Sequence, residues 1–157
     1  MPEYPLILFL DFDGVLHPVG GAEPRRRMEK LPLLETLLRE PACADVGVVI
    51  SSTWRVLYNT AQLRSGFSPD VREHIVDCTP ELEEHHTPFR RHEEIAAWLD
   101  AHPQVRGWVA LDDDVRGFPP QVYSHAVFTQ SAAGLTPRDV DLLRVRLGEA
   151  RAGSQGR

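Results

Sequence analysis

The chain has 157 residues, a formal net charge of −6, 42% hydrophobic residues and 25% charged residues. That length suits one domain with a real core, and the acidic balance excludes a general nucleic-acid binder coated in positive charge, though not a local basic groove. Two cysteines, Cys43 and Cys78, make neither a disulfide framework nor a zinc site by spacing, so a reducing, cytoplasmic setting is expected.

Leu6 to Leu10 is an all-apolar run of five residues, the pattern of a strand buried on both faces of a parallel sheet. It is too short for a signal-peptide core or a membrane span. It runs straight into LDFDGVLHP, where Asp11 and Asp13 sit two apart. If the strand continued, both carboxylates would share a face and repel each other, an arrangement that needs a chemical reason.

Residues 14 to 28 read as loop, with Gly14, Pro18, Gly20, Gly21 and Pro24. Leu31 to Arg39 carries leucines at helical spacing and Pro41 stops it. Val46 to Ile50 is a second buried strand, ending in Ser51-Ser52-Thr53-Trp54-Arg55, and Thr53 to Arg64 reads as a helix. Ile75-Val76 is a short strand or loop. Arg91 to Ala101 is a helix with Ile95, Trp98 and Leu99 on one side. Gly107 to Leu111 is a strand running into Asp112-Asp113-Asp114, and Ala126 to Phe128 is a last short strand. Thr136 caps a helix that has Pro137 in its first turn and runs through Leu147; the segment after it reads as a frayed tail.

Strands alternate with helices, which predicts an α/β fold: a Rossmann-like three-layer sandwich with a central parallel sheet. One domain is expected over residues 1–148, with a flexible tail over 149–157. Ligands of such sheets bind at the carboxyl ends of the strands, where the acids, hydroxyls and arginines of this chain fall.

With these residues in place, the sequence resembles the haloacid dehalogenase-like (HAD) phosphohydrolases. DFDGV at 11–15 matches that superfamily's first motif, Ser51 its second, Arg91 its basic third and the paired acids Asp112-Asp113 its fourth. More narrowly, LDFDGVLHP, VISSTWR, RRHEEIAAWL, VALDDD and the late GLT resemble the HAD domain of Swiss Army Knife RNA repair proteins. The resemblance implies a Mg²⁺ site from Asp11 and Asp112, with Asp113 bound directly or through water and a backbone carbonyl at Asp13 as a further ligand. It implies Asp11 as nucleophile, giving an aspartyl-phosphate, and Asp13 as general acid and base. Ser51 and Arg91 would hold the phosphate, Arg91 standing where the superfamily more often has Lys; Arg90 is the other candidate, and Arg91 is preferred because an Arg-x-x-Glu-Ile pattern then starts the helix.

Each role has independent chemical sense. An anionic phosphate attacked by a carboxylate needs a cation to offset both charges, and Mg²⁺ prefers oxygen ligands. Arg stays charged and can hold phosphate through two hydrogen bonds. Gly14 permits a sharp turn that would aim backbone N–H groups at the phosphate. Ser52 and Arg55 are further candidates for substrate contact; Ser52 also competes for a helix cap, and Arg55 for an ion pair. His17 is a candidate substrate contact in the loop beside the site, and Arg25-Arg26-Arg27 a candidate basic edge. Asp114 is expected to face solvent and Trp54 to pack. His85-His86 matches no zinc spacing.

The stretches between Asp13 and Ser51 and between Ser51 and Arg91 span 38 and 40 positions, with no room for a cap domain. An open site fits RNA or DNA end phosphates. A metabolite or nucleotide phosphatase with a lid from an oligomeric partner is the alternative, and a non-catalytic phosphate- or metal-binding module is a third reading. A receiver domain also joins acids, Thr and Lys on a parallel sheet, but its acid pair comes early and its Lys late, whereas this chain has its acid pair late and no late Lys.

Overall fold

The structure, a computed structural model, describes residues 3–20 and 28–153. Five strands form one parallel sheet: β1 (Leu6–Leu10), β2 (Val46–Ile50), β3 (Ile75–Cys78), β4 (Gly107–Asp112) and β5 (Ala126–Phe128). Their order is β3-β2-β1-β4-β5, so β1 lies at the centre with β2 and β4 as neighbours. The helices are α1 (Leu31–Leu38), α2 (Thr60–Arg64), α3 (Arg90–Asp100) and α4 (Pro137–Gly153).

Side-chain alternation along the strands sorts the core into two halves. Leu6, Leu8 and Leu10 join Val48, Ile50, Val109 and Leu111 in a cluster with residues of α1, α2 and α4. Ile7 and Phe9 join Val49, Trp108 and Ala110 in a second cluster with Ile95, Trp98 and Leu99 of α3. Helices on both faces explain why the central strands are apolar throughout rather than alternating. This is the expected three-layer α/β sandwich. Among the described residues no inserted domain stands over the sheet, and no helix is long and apolar enough to cross a membrane.

Two elements differ from the sequence reading. Thr53 to Arg64 is not one helix: a 3₁₀ turn spans Thr53–Val56, and α2 begins at Thr60. Asn59 makes the break. Its side chain accepts from the Gln62 N–H while the Gln62 side chain accepts from the Asn59 N–H, a capping box that starts a new helix. The last helix does not end at Leu147 but continues to Gly153. Gly107 lets α4 lie against β4, for a Cβ there would sit 2.7 Å from the Ala150 carbonyl. Arg151 then ties the final turn to Asp45 at 2.7 Å. Tertiary contacts hold a stretch whose local composition favours fraying. Thr136 does cap α4, its hydroxyl accepting from the Asp139 N–H at 3.2 Å. The Arg25-Arg26-Arg27 edge lies outside the described residues.

Candidate active site at the carboxyl edge of the sheet

Register builds the site. Leu10 pairs with Ile50 on one side and Leu111 on the other. One residue further, the Asp11 N–H donates to the Leu111 carbonyl (3.0 Å) and the Ser51 N–H to the Leu10 carbonyl (2.7 Å). Asp11, Ser51 and Asp112 therefore stand in one row across β1, β2 and β4, all three buried. The row lies where the chain, having built β1 to β3 outward on one side, crosses to build β4 and β5 on the other. Sheets of this kind open a crevice at that point.

Carboxylate oxygens of Asp11, Asp112 and Asp113 all lie within 4.8 Å of one another. Burial and the neighbouring charge of Asp112 push the Asp11 carboxyl up to about 9, against the pull of Arg91. Burial likewise raises Asp112, to about 6, with Arg91 again opposing. Three acids packed this closely fit a divalent cation: they offer hard oxygen ligands, and their mutual repulsion is what such an ion would relieve.

Arg91 faces the acids. Its Nε lies 3.2 Å from Asp112 Oδ2, and a terminal nitrogen lies 3.9 Å from Asp11 Oδ1. Glu94, one turn on, steadies it at 3.6 Å. Arg90, the other candidate, is exposed and makes no such contact. Ser51 Oγ is buried with no hydrogen-bond partner among the described residues. A buried hydroxyl left unpaired is unfavourable unless a ligand completes it.

Several expected roles change. The strand ends at Leu10, so two-residue alternation does not orient Asp13. Its carboxylate stands outside the acidic cluster and is half-exposed. Oδ1 of Asp13 accepts from Trp54 Nε1 at 3.0 Å and lies 2.7 Å from His17 Nε2. Trp54 thus does more than pack, and His17 contacts Asp13. Ser52, fully buried, caps the 3₁₀ turn by accepting from the Trp54 N–H, so it does not face a substrate. Arg55 is committed to Glu94 at 2.7 Å and to the carbonyls of Ser52 and Thr79. It braces the loop after β2 instead of reaching a phosphate. Asp114 is exposed, as expected, and also caps the next turn by accepting from the Arg116 N–H.

Gly14 also has a different task. Its N–H donates to the His17 carbonyl (2.9 Å) and is not offered to a phosphate. What its lack of a side chain permits is the approach of Asp113: a Cβ would lie 2.1 Å from Asp113 Oδ2, at a φ of +77°. Gly14→Ala is expected to destabilise the fold by about 1–3 kcal/mol through left-handed strain. It should also weaken divalent-metal binding about tenfold or more by displacing Asp113. Denaturant unfolding and metal titration check the two effects separately.

Sequence reasoning missed Ser131, which donates to Asp113 Oδ2 at 2.6 Å, and Thr129, whose hydroxyl donates to the Gly14 carbonyl at 2.7 Å. Both follow β5 and carry no local signal. Glu94 had one: its i,i+3 spacing from Arg91 on a helix.

A parallel sheet whose central strands end in carboxylates, beside a buried hydroxyl and an arginine, defines an α/β protein with a metal-compatible acidic site at its carboxyl edge. The chain belongs to the family described as the HAD domain in Swiss Army Knife RNA repair proteins, whose model matches residues 7–140. That membership makes it a hydrolase of the HAD type. No curated protein matches the sequence.

Proposed function

We propose that the protein is a Mg²⁺-dependent phosphohydrolase that works through an aspartyl-phosphate on Asp11 and acts on nucleic-acid end phosphates. The observation that carries this reading is the unpartnered, buried Ser51 hydroxyl in one row with Asp11 and Asp112, with Arg91 alongside. A phosphoryl group in front of that row meets a hydroxyl donor, a guanidinium and a nucleophile together.

Asp11, Asp112 and Asp113 would hold the cation, with the Asp13 carbonyl as a further ligand. When bound, the cation supplies charge neutralisation that lets two anions meet. Asp11 attacks phosphorus and the bond to the leaving oxygen breaks. Asp13 protonates that oxygen, then takes a proton from the water that cleaves the acyl phosphate. Trp54 and His17 both engage Oδ1 of Asp13, which leaves Oδ2 for these transfers. Ser51 and Arg91 hold the phosphate oxygens throughout.

The leaving group is argued from the open site and its rim. Trp54 packs at 6.0 Å from Tyr58, and Val56, Leu57 and Tyr58 are exposed beside it. An aromatic and apolar rim beside Asp13 suits the base of a nucleoside. An open, capless site gives a polymer end room to enter. A cytoplasmic location accords with the free thiols of Cys43 and Cys78.

Phosphate release from an aryl phosphate, nucleotides, sugar phosphates, and 3′- and 5′-phosphorylated oligonucleotides tests the reading, each with Mg²⁺ and with chelator. Mg²⁺-dependent release, fastest on an oligonucleotide end, is the expected result. Faster release from sugar phosphates or nucleotides would replace the polymer end with a metabolite. No release from any substrate would sink the phosphatase.

A further inference from the structure

Next to the acidic row, a cleft of about 510 Å³ opens between the loop after β2, the start of α3 and the turn after β4. Arg91 lines it and also faces Asp11 and Asp112, so the cleft begins where the reacting phosphate would sit. Its volume far exceeds one phosphoryl group and falls within the range of small-ligand sites.

The charges lining this cleft are not those of the chain as a whole. Four guanidinium groups, those of Arg55, Arg90, Arg91 and Arg116, face three carboxylates, those of Glu81, Glu94 and Asp114. The chain carries −6 overall, yet this wall is cationic. Glu94 is already tied to Arg55 at 2.7 Å and to Arg91 at 3.6 Å. Asp114 Oδ1 accepts from the backbone N–H of Arg116. Glu81 lines the same cleft.

Arg90 and Arg116 are both exposed, and neither guanidinium makes an ion pair or hydrogen bond among the described residues. They come from separate elements, the first residue of α3 and the 3₁₀ turn Val115–Gly117. Gly117 brings those elements together: a Cβ there would sit 3.1 Å from the Arg91 Cβ. Two guanidinium groups without protein partners, flanking a polar cleft that starts at a phosphate site, are suited to a second phosphate. The amino end of the eleven-residue α3 adds its dipole.

We propose that this cleft is a subsite for the phosphodiester next to the reacting end phosphate, held by Arg90 and Arg116, so that the preferred substrate is a polynucleotide end and not a mononucleotide. The proposal rests on the reading above in placing the reacting phosphate at Ser51 and Arg91. It makes two phosphates, one sugar apart, the recognised unit. The contacts are to backbone charge, so they carry no base preference and weaken with salt.

The test compares a nucleoside 3′-phosphate with the dinucleotide bearing the same 3′-terminal phosphate, and the corresponding 5′ pair. The readout is the ratio of kcat/KM within each pair. A dinucleotide advantage of about tenfold or more is expected in at least one pair, and it should shrink as salt rises. The Arg90→Gln, Arg116→Gln double variant should bring that ratio to near one. Arg106→Gln makes a comparable charge change at the opposite edge of the sheet and should keep the ratio.

A ratio near one in the wild type, or one that both substitutions leave intact, overturns the subsite while aryl-phosphate turnover leaves the phosphatase standing. Absence of turnover on every substrate fails the phosphatase instead. Calorimetric titration with the dinucleotides then decides the subsite alone. Binding at least tenfold weaker in the double variant than in Arg106→Gln supports it, and equal or absent binding overturns it.

Discussion

Asp11→Asn is expected to abolish phosphate release, lowering kcat by at least about 10³-fold, and at the same time to stabilise the metal-free protein. The loss follows from its place in the row: no other carboxylate lies on β1 beside both Ser51 and Asp112. The gain follows from the same place. Burial and the charge of Asp112 push the Asp11 carboxyl up to about 9, whereas the unfolded chain ionises it near its ordinary 3.8. Above pH 4 the unfolded state is therefore favoured by ionisation, and an amide carries no such penalty. The variant should melt at least about 3 °C higher at pH 7 in chelator, with the gap closing toward pH 4. Phosphate release and thermal melts measure the two halves. A variant that keeps its turnover would remove Asp11 as the nucleophile. A variant that melts lower at pH 7 would show that the acidic row is not under repulsion.

Added Mg²⁺ or Mn²⁺ is expected to raise the melting temperature strongly at pH 8 and little at pH 5. The folded-state carboxyls of Asp11 and Asp112 are both raised, to about 9 and about 6. A raised acid contributes stability that is complete below its unfolded value and is lost as pH climbs through its folded value. The loss tied to Asp112 accumulates between about pH 4 and 6, and that tied to Asp11 continues to about pH 9. A cation binds the ionised forms, so it has most to offset where that loss is largest. Binding at 100 times the dissociation constant adds about 2.7 kcal/mol, a shift of several degrees for a chain of this size. Scanning calorimetry at both pH values, with and without chelator, measures it. Asp112→Asn should lose most of the shift. Equal shifts at pH 5 and pH 8, or none at either, would remove the acidic cluster as a metal site.

The two outcomes are linked through one geometric fact. The residues that make the site chemically able also make it unstable when no ion balances them. Ser51 belongs to the same account: its unsatisfied hydroxyl is a small structural penalty that a phosphate oxygen would relieve.

Much of this arrangement is legible in the order of residues. Leu6–Leu10, Val46–Ile50 and Gly107–Leu111 are apolar runs that can only be buried strands in a chain this size. Parallel strands put their carboxyl ends on one edge, so Asp11, Ser51 and Asp112 had to meet once those strands paired. Arg91 was preferred over Arg90 from the Arg-x-x-Glu-Ile pattern, and the Glu94 contact accounts for its glutamate.

Other positions were decided by contacts far away in sequence. Trp54 reaches Asp13 across 41 positions, and Arg55 reaches Glu94 across 39. Neither pairing leaves a local trace, so Asp13 read as sharing a face with Asp11, and Arg55 stayed divided between a substrate contact and an ion pair. Gly14 showed that a tight turn was needed, but not that Asp113 would lie over it. The end of α4 depends on Gly107 and Asp45, which stand on other elements. Periodicity and strand-end chemistry are short-range properties, and by themselves they determined the fold class and the sheet edge on which the acids, the hydroxyl and the arginine gather. The orientation of each side chain around that edge is set by which distant partner reaches its hydrogen-bonding atoms first, and only the packed tertiary structure decides that.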